Sequence, residues 1–521
     1  MNTTLFHGGR IHAGSGVSAE ALVCRNGRVA ALGRSGDLRR DHPDAELVDL
    51  NGGLMTPGWH DCHVHFTWWA IQMGQIDLRD EPSIDAALAR IESYARELPP
   101  TAWVLGGRFD KNRWGRWPTA VELDRATAGR RAALRSRDGH ARWLNSAALK
   151  AAGIDASTAA PAGGTIEHDP SGRPSGILME NANHLAERVI PQPGADELFA
   201  AVARGQREAH RRGITAIEDL EQSAAFDAFQ RRRDRGELRI RVAMGIPHAS
   251  LDHALALGLR TGLGDEWLRI GHLKIFTDGA LGSQTAALEE PYEGTNDRGL
   301  LTIDPQLLDT DVRRAAEGGI AVAIHAIGDR AVRVALDAIG PTRAPHPELR
   351  QRIEHAQLLR IEDIARFGAL DVIASMQPIH ATSDRDLAER YWGHARVRRA
   401  YPWRSLLKGG ARLAFGSDAP VEPIDPLLGI HAAVARQRPA DEQPWHPEEA
   451  LTLDEAIAAY TSGGAYAMGV EGDRGSLAVG MRCDATVVER DLAATPWAEW
   501  PNLRVTATVV GGEIVHADGV G

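Results

Sequence analysis

The sequence predicts an α/β protein: a (β/α)8 barrel of the TIM type, a small β-sandwich built from both chain termini, and a large insertion after the first barrel strand. Three observations lead there. From about residue 213, short apolar runs alternate with helix-like stretches, the rhythm of parallel βα units. Both chain ends read as alternating strands joined by turns. Between residues 67 and 200 neither texture holds. The expected organisation is therefore 1–55 for the first part of the sandwich, 56–469 for the barrel with 67–200 inserted over its mouth, and 470–521 for the rest of the sandwich.

At the N-terminal end, Ala21–Cys24 and Arg28–Leu32 flank Asn26-Gly27, a strong two-residue hairpin signal. At the other end, Asp484–Val488 reads as a strand, and Val505–Val510 runs through Gly511-Gly512 into Glu513–His516. Inside the insertion, Ser83 to Leu98 is expected to be a helix, with an N-cap serine and apolar spacing at Ile84, Ala87, Leu88, Ile91 and Tyr94. A tryptophan-rich piece follows (Trp103, Trp114, Trp117, Trp143), with two polar clusters, Arg137-Asp138-Gly139-His140 and Gly163–Glu167. The expected barrel strands are the run ending at His63 and His65, then Ile214–Leu220, Leu238–Ile246, Ile270–Asp278, Ile320–Ile327, Arg352–Leu358, Val372–Gln377 and Arg412–Asp418. The active site of such a barrel lies at the C-terminal ends of its strands.

Composition narrows the partners. A net charge of -11 argues against nucleic acid and anionic membranes. Three scattered cysteines, at 24, 62 and 483, make no disulfide framework and fit a reducing compartment. The start Met1–His7 lacks a basic stretch leading into an apolar run, and no apolar run reaches the ~18 residues of a membrane span. The expectation is a cytoplasmic protein acting on a small molecule, compatible with a homo-oligomer.

The chemistry gathers at the strand ends. In Pro57-Gly58-Trp59-His60-Asp61-Cys62-His63-Val64-His65, alternate strand residues share a face. His63 and His65 converge, Asp61 leans the same way, and Cys62 faces away. Two imidazoles at a strand end begin a zinc site, although such a pair also arises by chance in a chain with 21 histidines. His325, His355 and Asp418 end other strands, and Lys274 lies in an apolar one, where a bare ammonium is costly to bury. Singly, each has an ordinary structural explanation: a satisfied core histidine, a cap, a snorkelling lysine. Together, on five strand ends of one barrel, they do not.

These residues resemble the amidohydrolase superfamily over nearly the whole chain. The opening stretch is similar to its Pro-Gly-x-x-Asp-x-His-x-His signature. Gly475–Ala485 resembles its C-terminal signature, with Cys483 at a position that is often alanine. Asp138–Ser146, Lys274–Gly279, His325–Ala331, Glu354–Gln357 and Ser375–Pro378 resemble the branch containing YtcJ-like proteins and N-substituted formamide deformylases. One departure is Ile217-Glu218-Asp219, where relatives often carry a histidine before the aspartate.

The resemblance implies roles. His63 and His65 would hold the more buried metal and His325 and His355 the second. Asp418 would ligate and shuttle protons, and Lys274 would bridge as a carboxylated lysine. As an ammonium a lysine only donates; as a carbamate it offers two anionic oxygens. The implied reaction is hydrolysis of a C–N bond, with one or two Zn²⁺ (or Mn²⁺ or Fe²⁺) activating water and Asp418 relaying its proton. His140 is a candidate oxyanion donor; Asp138, Gln377, His380 and Trp114 are candidate substrate contacts, and Trp68, Trp69 and Trp114 are candidates to line an apolar entrance. The alternatives are a mononuclear deaminase, against which Lys274 argues, and a non-catalytic metal-binding barrel, against which Asp418 argues.

Overall fold

The computed structural model describes residues 3–14, 16–220, 223–438 and 441–520. Met1, Asn2 and Gly521, the outermost residues of the two expected terminal segments, lie outside them. Among the described residues the centre is an eight-stranded parallel sheet: β1 (Trp59–Val64), β2 (Ile214–Asp219), β3 (Arg241–Pro247), β4 (Leu268–Phe276), β5 (Val322–Ala326), β6 (Arg352–His355), β7 (Ile373–Met376) and β8 (Arg412–Phe415). Each strand pairs with the next in chain order. The strands are largely buried on both faces, as a parallel sheet requires; Val322, Ala323 and Ile324 are wholly buried.

The first and last strands are joined just beyond β8. Asp418 N donates to His63 O (2.7 Å) and His65 N to Ala419 O (2.9 Å). Asp61 adds a brace, accepting from Ser417 N (2.9 Å) and Ser417 Oγ (2.5 Å). Gly416 is required here, because a Cβ would meet His63 N at 2.5 Å and Asp61 Oδ1 at 2.8 Å. Asp61 therefore closes the barrel and does not point at the metal position. Cys62 faces away as expected, buried in a cluster with Ala216, Ala414 and Ala465.

The chain ends meet. Ala485–Val488 pairs antiparallel with Leu54–Pro57, in a six-stranded sheet that also holds Arg10–Gly14, Val17–Ala19, Val505–Val510 and Glu513–Ala517. A four-stranded sheet (Thr3–His7, Ala21–Arg25, Arg28–Gly33, Glu46–Asp49) lies beside it, and one apolar cluster draws on both (Phe6, Leu22, Met55, Val487, Val509). The Asn26-Gly27 hairpin is present, with φ of 52° and 77° at its two central residues, the left-handed pair that a tight type I′ turn demands. A buried ion pair fastens this region to the barrel: Arg241 Nε and Nη2 meet Asp484 at 2.6 and 2.9 Å.

Between β1 and the helix Ala195–Arg211 lies a separate six-stranded sheet, in the order Gly164–His168, Pro174–Glu180, Ala141–Leu144, Ala132–Ser136, Val104–Phe109, Ile76–Asp77. The expected helix is there as Ile84–Glu97, with Ser83 accepting from Ala86 N at 3.2 Å. No helix of the described residues is long and apolar enough to cross a membrane.

Candidate metal centre and active site

A cavity of about 1210 Å³ opens above the strand ends, and His63, His65, Lys274, His325, His355 and Asp418 all line it. The sequence had placed these six at one site, and the fold brings them there. Ring centroids of His63 and His355 are 4.7 Å apart, and those of His325 and His355 4.5 Å. Asp418 Oδ1 lies 3.4 Å from His63 Nε2 and 3.5 Å from His65 Nε2; its Oδ2 lies 3.9 Å from His355 Nδ1. His63, His355 and Asp418 each offer one ligand atom, all within 4.8 Å of one another.

Two of these candidate ligands leave regular strand geometry to get there. His355 sits at φ 70° and Asp418 at φ 58°. Such left-handed backbone is strained for a residue with a Cβ and persists where the surroundings over-determine it. At β6 it has a particular consequence. Glu354 and His355 are neighbours, so an extended strand would aim them oppositely. The turn at His355 lets both serve the centre.

Burial pushes His63, His325 and His355 well below the ordinary imidazole pKa, so they stay neutral, the form in which an imidazole can bind a metal. Burial also lowers Lys274 to about 8, against the opposing pull of Glu354 and Asp418. For Asp418, burial alone would raise the carboxyl; the surrounding imidazoles and the His380 hydrogen bond bring it down to about 2.

The arrangement fits a metal on an observation of its own. His63 Nε2, His355 Nδ1 and Lys274 Nζ are buried with no hydrogen-bond partner among the described residues. Each such atom costs about 1–3 kcal/mol unless something meets it. Two ring nitrogens on the far side are fixed. His63 Nδ1 donates to Glu354 Oε2 (2.5 Å) and His325 Nε2 to Gly279 O (3.0 Å), the outer partners that orient ligating imidazoles.

Behind Glu354 runs a charged column that the sequence reading did not identify. Arg352 Nε meets Glu354 Oε1 at 2.5 Å, Arg352 Nη1 donates to Glu218 Oε2 (2.8 Å), and His272 Nδ1 lies 2.7 Å from Glu218 Oε1. Arg352, Glu354 and Glu218 are completely buried. Glu218, the departure noted in the sequence, thus balances a buried arginine. The available signal was the alternation of Arg352 and Glu354 on one face of a short, fully buried strand.

Of the predicted cavity residues, His140, Asp138 and His380 line the wall. His140 Nδ1 donates to Glu180 Oε2 (2.8 Å), and its ring lies 5.5 Å from that of His325. Burial opposes its imidazolium, but Glu180 outweighs this and raises the pKa to about 9. Asp138 also closes its own turn, accepting from Ser136 Oγ (2.5 Å) and His140 N (3.1 Å). His380 Nε2 donates to Asp418 Oδ2 (3.2 Å). Glu422, also missed, accepts from Arg137 Nη2 (2.7 Å) and Ser383 Oγ (2.6 Å), so the Arg137–His140 loop is latched to the barrel.

Two predicted contacts are placed elsewhere. Trp114 stacks on Phe109 (5.6 Å) and donates Nε1 to Glu81 O (3.0 Å), half-buried against the apolar cluster of the inserted sheet. Gln377 is almost wholly buried, with Nε2 3.4 Å from Ser375 O, away from the cavity wall. Trp69 packs on Phe66, whereas Trp68 lines the cavity, with its ring 5.6 Å from that of His65 and the Arg135 guanidinium over it.

Comparison with known proteins gives the family. Residues 46–516 match the amidohydrolase family. The chain belongs to that family. It is 33% identical to the putative amidohydrolase YtcJ of Bacillus subtilis, covering 98% of this chain and 99% of that one. It is 31% identical to the N-substituted formamide deformylase of Arthrobacter pascens, over 95% and 94% respectively. Among solved structures it is similar to an uncharacterized metal-dependent hydrolase of Pyrococcus horikoshii OT3, with a TM-score of 0.77 and 28% identity over 95% of this chain and 99% of that one. This amidohydrolase is thus a hydrolase with metal-dependent relatives on a TIM barrel.

Proposed function

We propose that this amidohydrolase cleaves the C–N bond of a small amide or N-substituted formamide with water at a metal centre. One observation carries the reading: buried, unpartnered ligand atoms converge beside the Asp418 carboxylate on the floor of one cavity. The donor set suits Zn²⁺, one or two ions, and is compatible with Mn²⁺ or Fe²⁺. His63, His65 and Asp418 would hold one ion and His325 and His355 a second, with Lys274 between. When bound, the metal lowers the pKa of its water towards neutrality and polarises the substrate carbonyl.

The side chains do the rest. Asp418 takes the proton of the attacking water and delivers it to the leaving nitrogen, with His380 holding its second oxygen. Lys274, kept partly uncharged by burial, adds to CO₂; an N–C bond forms, one proton leaves, and the resulting carbamate offers two anionic oxygens. His140 donates to the carbonyl oxygen as it gains charge. Asp138, His380 and Trp68 contact the substrate. The deformylase relative's name supports the substrate class. In the same reading the two terminal sheets form a β-sandwich domain, the 67–200 insertion covers the mouth, and the three free buried thiols suit the cytoplasm.

The test is metal content per chain after growth with zinc and bicarbonate, intact mass under mild conditions, and a panel of N-formyl and N-acyl amines. Bound metal, a lysine mass increment of one CO₂ and amide turnover support the proposal. One metal, an unmodified lysine and deamination of heterocycles would favour the mononuclear alternative. A chain that takes up no metal overturns both.

A further inference from the structure

The sequence cluster around His140 has a partner that its motif does not contain. Glu180 closes the strand Pro174–Glu180, 40 positions further on, and holds His140 Nδ1 with one carboxylate oxygen. Its other oxygen accepts from Thr285 Oγ1 (2.5 Å), on the loop that follows β4. The same loop supplies Gly279 O to His325. So one carboxylate joins the inserted sheet, the cavity histidine and the loop that steadies a metal ligand.

The geometry is over-determined in a way a simple tether would not need. Glu180 itself sits at φ 52°. The His140 carbonyl accepts from both Glu180 N (2.9 Å) and Asn183 Nδ2 (2.9 Å), which fixes the histidine's main chain as well as its ring. Gly279 makes room: a Cβ there would lie 2.1 Å from Thr285 Oγ1 and 2.4 Å from Glu180 Oε1. With Nδ1 engaged, the ring turns Nε2 towards the cavity, on the His325 side of the centre.

We propose that Glu180 is the positioning residue of His140, that Thr285 holds Glu180 in turn, and that the insertion therefore builds one wall of the reaction centre. His140 is the catalytic residue of the pair, donating from Nε2 to the substrate carbonyl; Glu180 acts through it. This rests on the hydrolase reading above for what His140 touches, but not for how Glu180 holds it.

Two measurements separate those layers. The first needs no substrate: carbethoxylation of the zinc-loaded protein by diethyl pyrocarbonate, followed at the His140 peptide by mass spectrometry. In Glu180→Gln and Thr285→Val, His140 should react several-fold faster than in the wild type, while the exposed His184 and His394 react at unchanged rates. Equal His140 rates overturn the proposal. The second is kinetic, on the best N-formyl amine of the panel. Glu180→Ala should lower kcat by roughly 10²-fold, the scale of one preorganised donor, with KM within a few-fold and zinc content unchanged. His140→Ala should lose a similar amount, and the double variant no more than either alone. Additive losses, or loss of zinc in Glu180→Ala, would make Glu180 a structural tie and overturn the assignment. If the wild type turns over no amide at all, the proposed amide substrate class fails, and the carbethoxylation rates still decide the pairing.

Discussion

Replacing Glu354 by glutamine should weaken metal binding while leaving the fold intact. The carboxylate has two partners, His63 Nδ1 and Arg352 Nε, each at 2.5 Å, and no solvent. Glutamine keeps the volume but offers one oxygen and one NH₂ group. Either His63 or Arg352 then faces a donor. Outer partners of ligating histidines typically contribute about 10–100-fold in metal affinity, which is about 1.4–2.8 kcal/mol at 1.4 kcal/mol per decade. Arg352 keeps its bond to Glu218 (2.8 Å), so the column retains one counter-charge. The assay is zinc competition against a chromophoric chelator, with circular dichroism and the melting temperature of the zinc-free form as controls. A wild-type-like zinc-free melt with a 10–100-fold weaker zinc Kd locates the loss at His63. A Kd within about twofold of wild type would refute the claim that Glu354 sets this ligand. The metal-linked rise in stability should shrink by the same free energy at saturating zinc.

Asp418→Asn should retain most of the zinc but lose about 10²–10⁴-fold in kcat, the range of a lost general base; zinc analysis beside turnover of the same sample checks both. Arg137→Met removes the latch to Glu422 (2.7 Å), and KM should rise by roughly tenfold, the equivalent of a charge-assisted hydrogen bond of about 1.5 kcal/mol; an unchanged KM would mean the loop is held without it. Arg241→Met strands Asp484, which is buried, and should cost about 3–5 kcal/mol near pH 7 in denaturant unfolding. Its pH dependence follows from the direction of the shift. In the wild type, burial opposes the Asp484 carboxylate but Arg241 prevails and lowers its pKa. That stability is full above the unfolded value near 4 and is lost as pH falls through the depressed folded pKa. Without Arg241, burial raises the folded pKa relative to wild type, so the variant's deficit should narrow as pH drops from 7 towards 4; a constant deficit would contradict it.

The barrel was legible because its signal is repeated. Most of the parallel strands are apolar runs, each is followed by a helix, and local period places the eight in order. His63 and His65 were legible for the same reason, since two residues on one strand face need no knowledge of any other strand. Trp114 was not. Thirteen tryptophans offer the same surface in sequence, and only packing separates Trp68, three residues past His65 and facing the cavity, from Trp114, which is stacked on Phe109 against the inserted sheet. Gln377 was placed by its position after β7, but the chain turns into the helix Pro378–Ser383 at that point and buries it, while His380 one turn later reaches Asp418.

The residues that escaped the sequence share a physical character: they touch the centre only through another side chain. Glu354 reaches it through His63, Glu218 through Arg352, Glu180 through His140 and Glu422 through His380 and Arg137. Each is an acid, and each meets its partner across 40 to 291 positions of chain, so no window of sequence holds both members. Strand alternation even argued against Glu354, because it neighbours the ligand His355; the left-handed turn at φ 70° removes that conflict, and such a turn leaves no mark in a His-Ala dipeptide. A metal centre of neutral imidazoles buried in a barrel needs nearby anions to fix ring orientation and offset the ion's charge. The candidate ligands could be read from strand ends because a shared face is a local property. Their supporting acids are set by the closed barrel and the sheet placed over it, and they become visible only once both have formed.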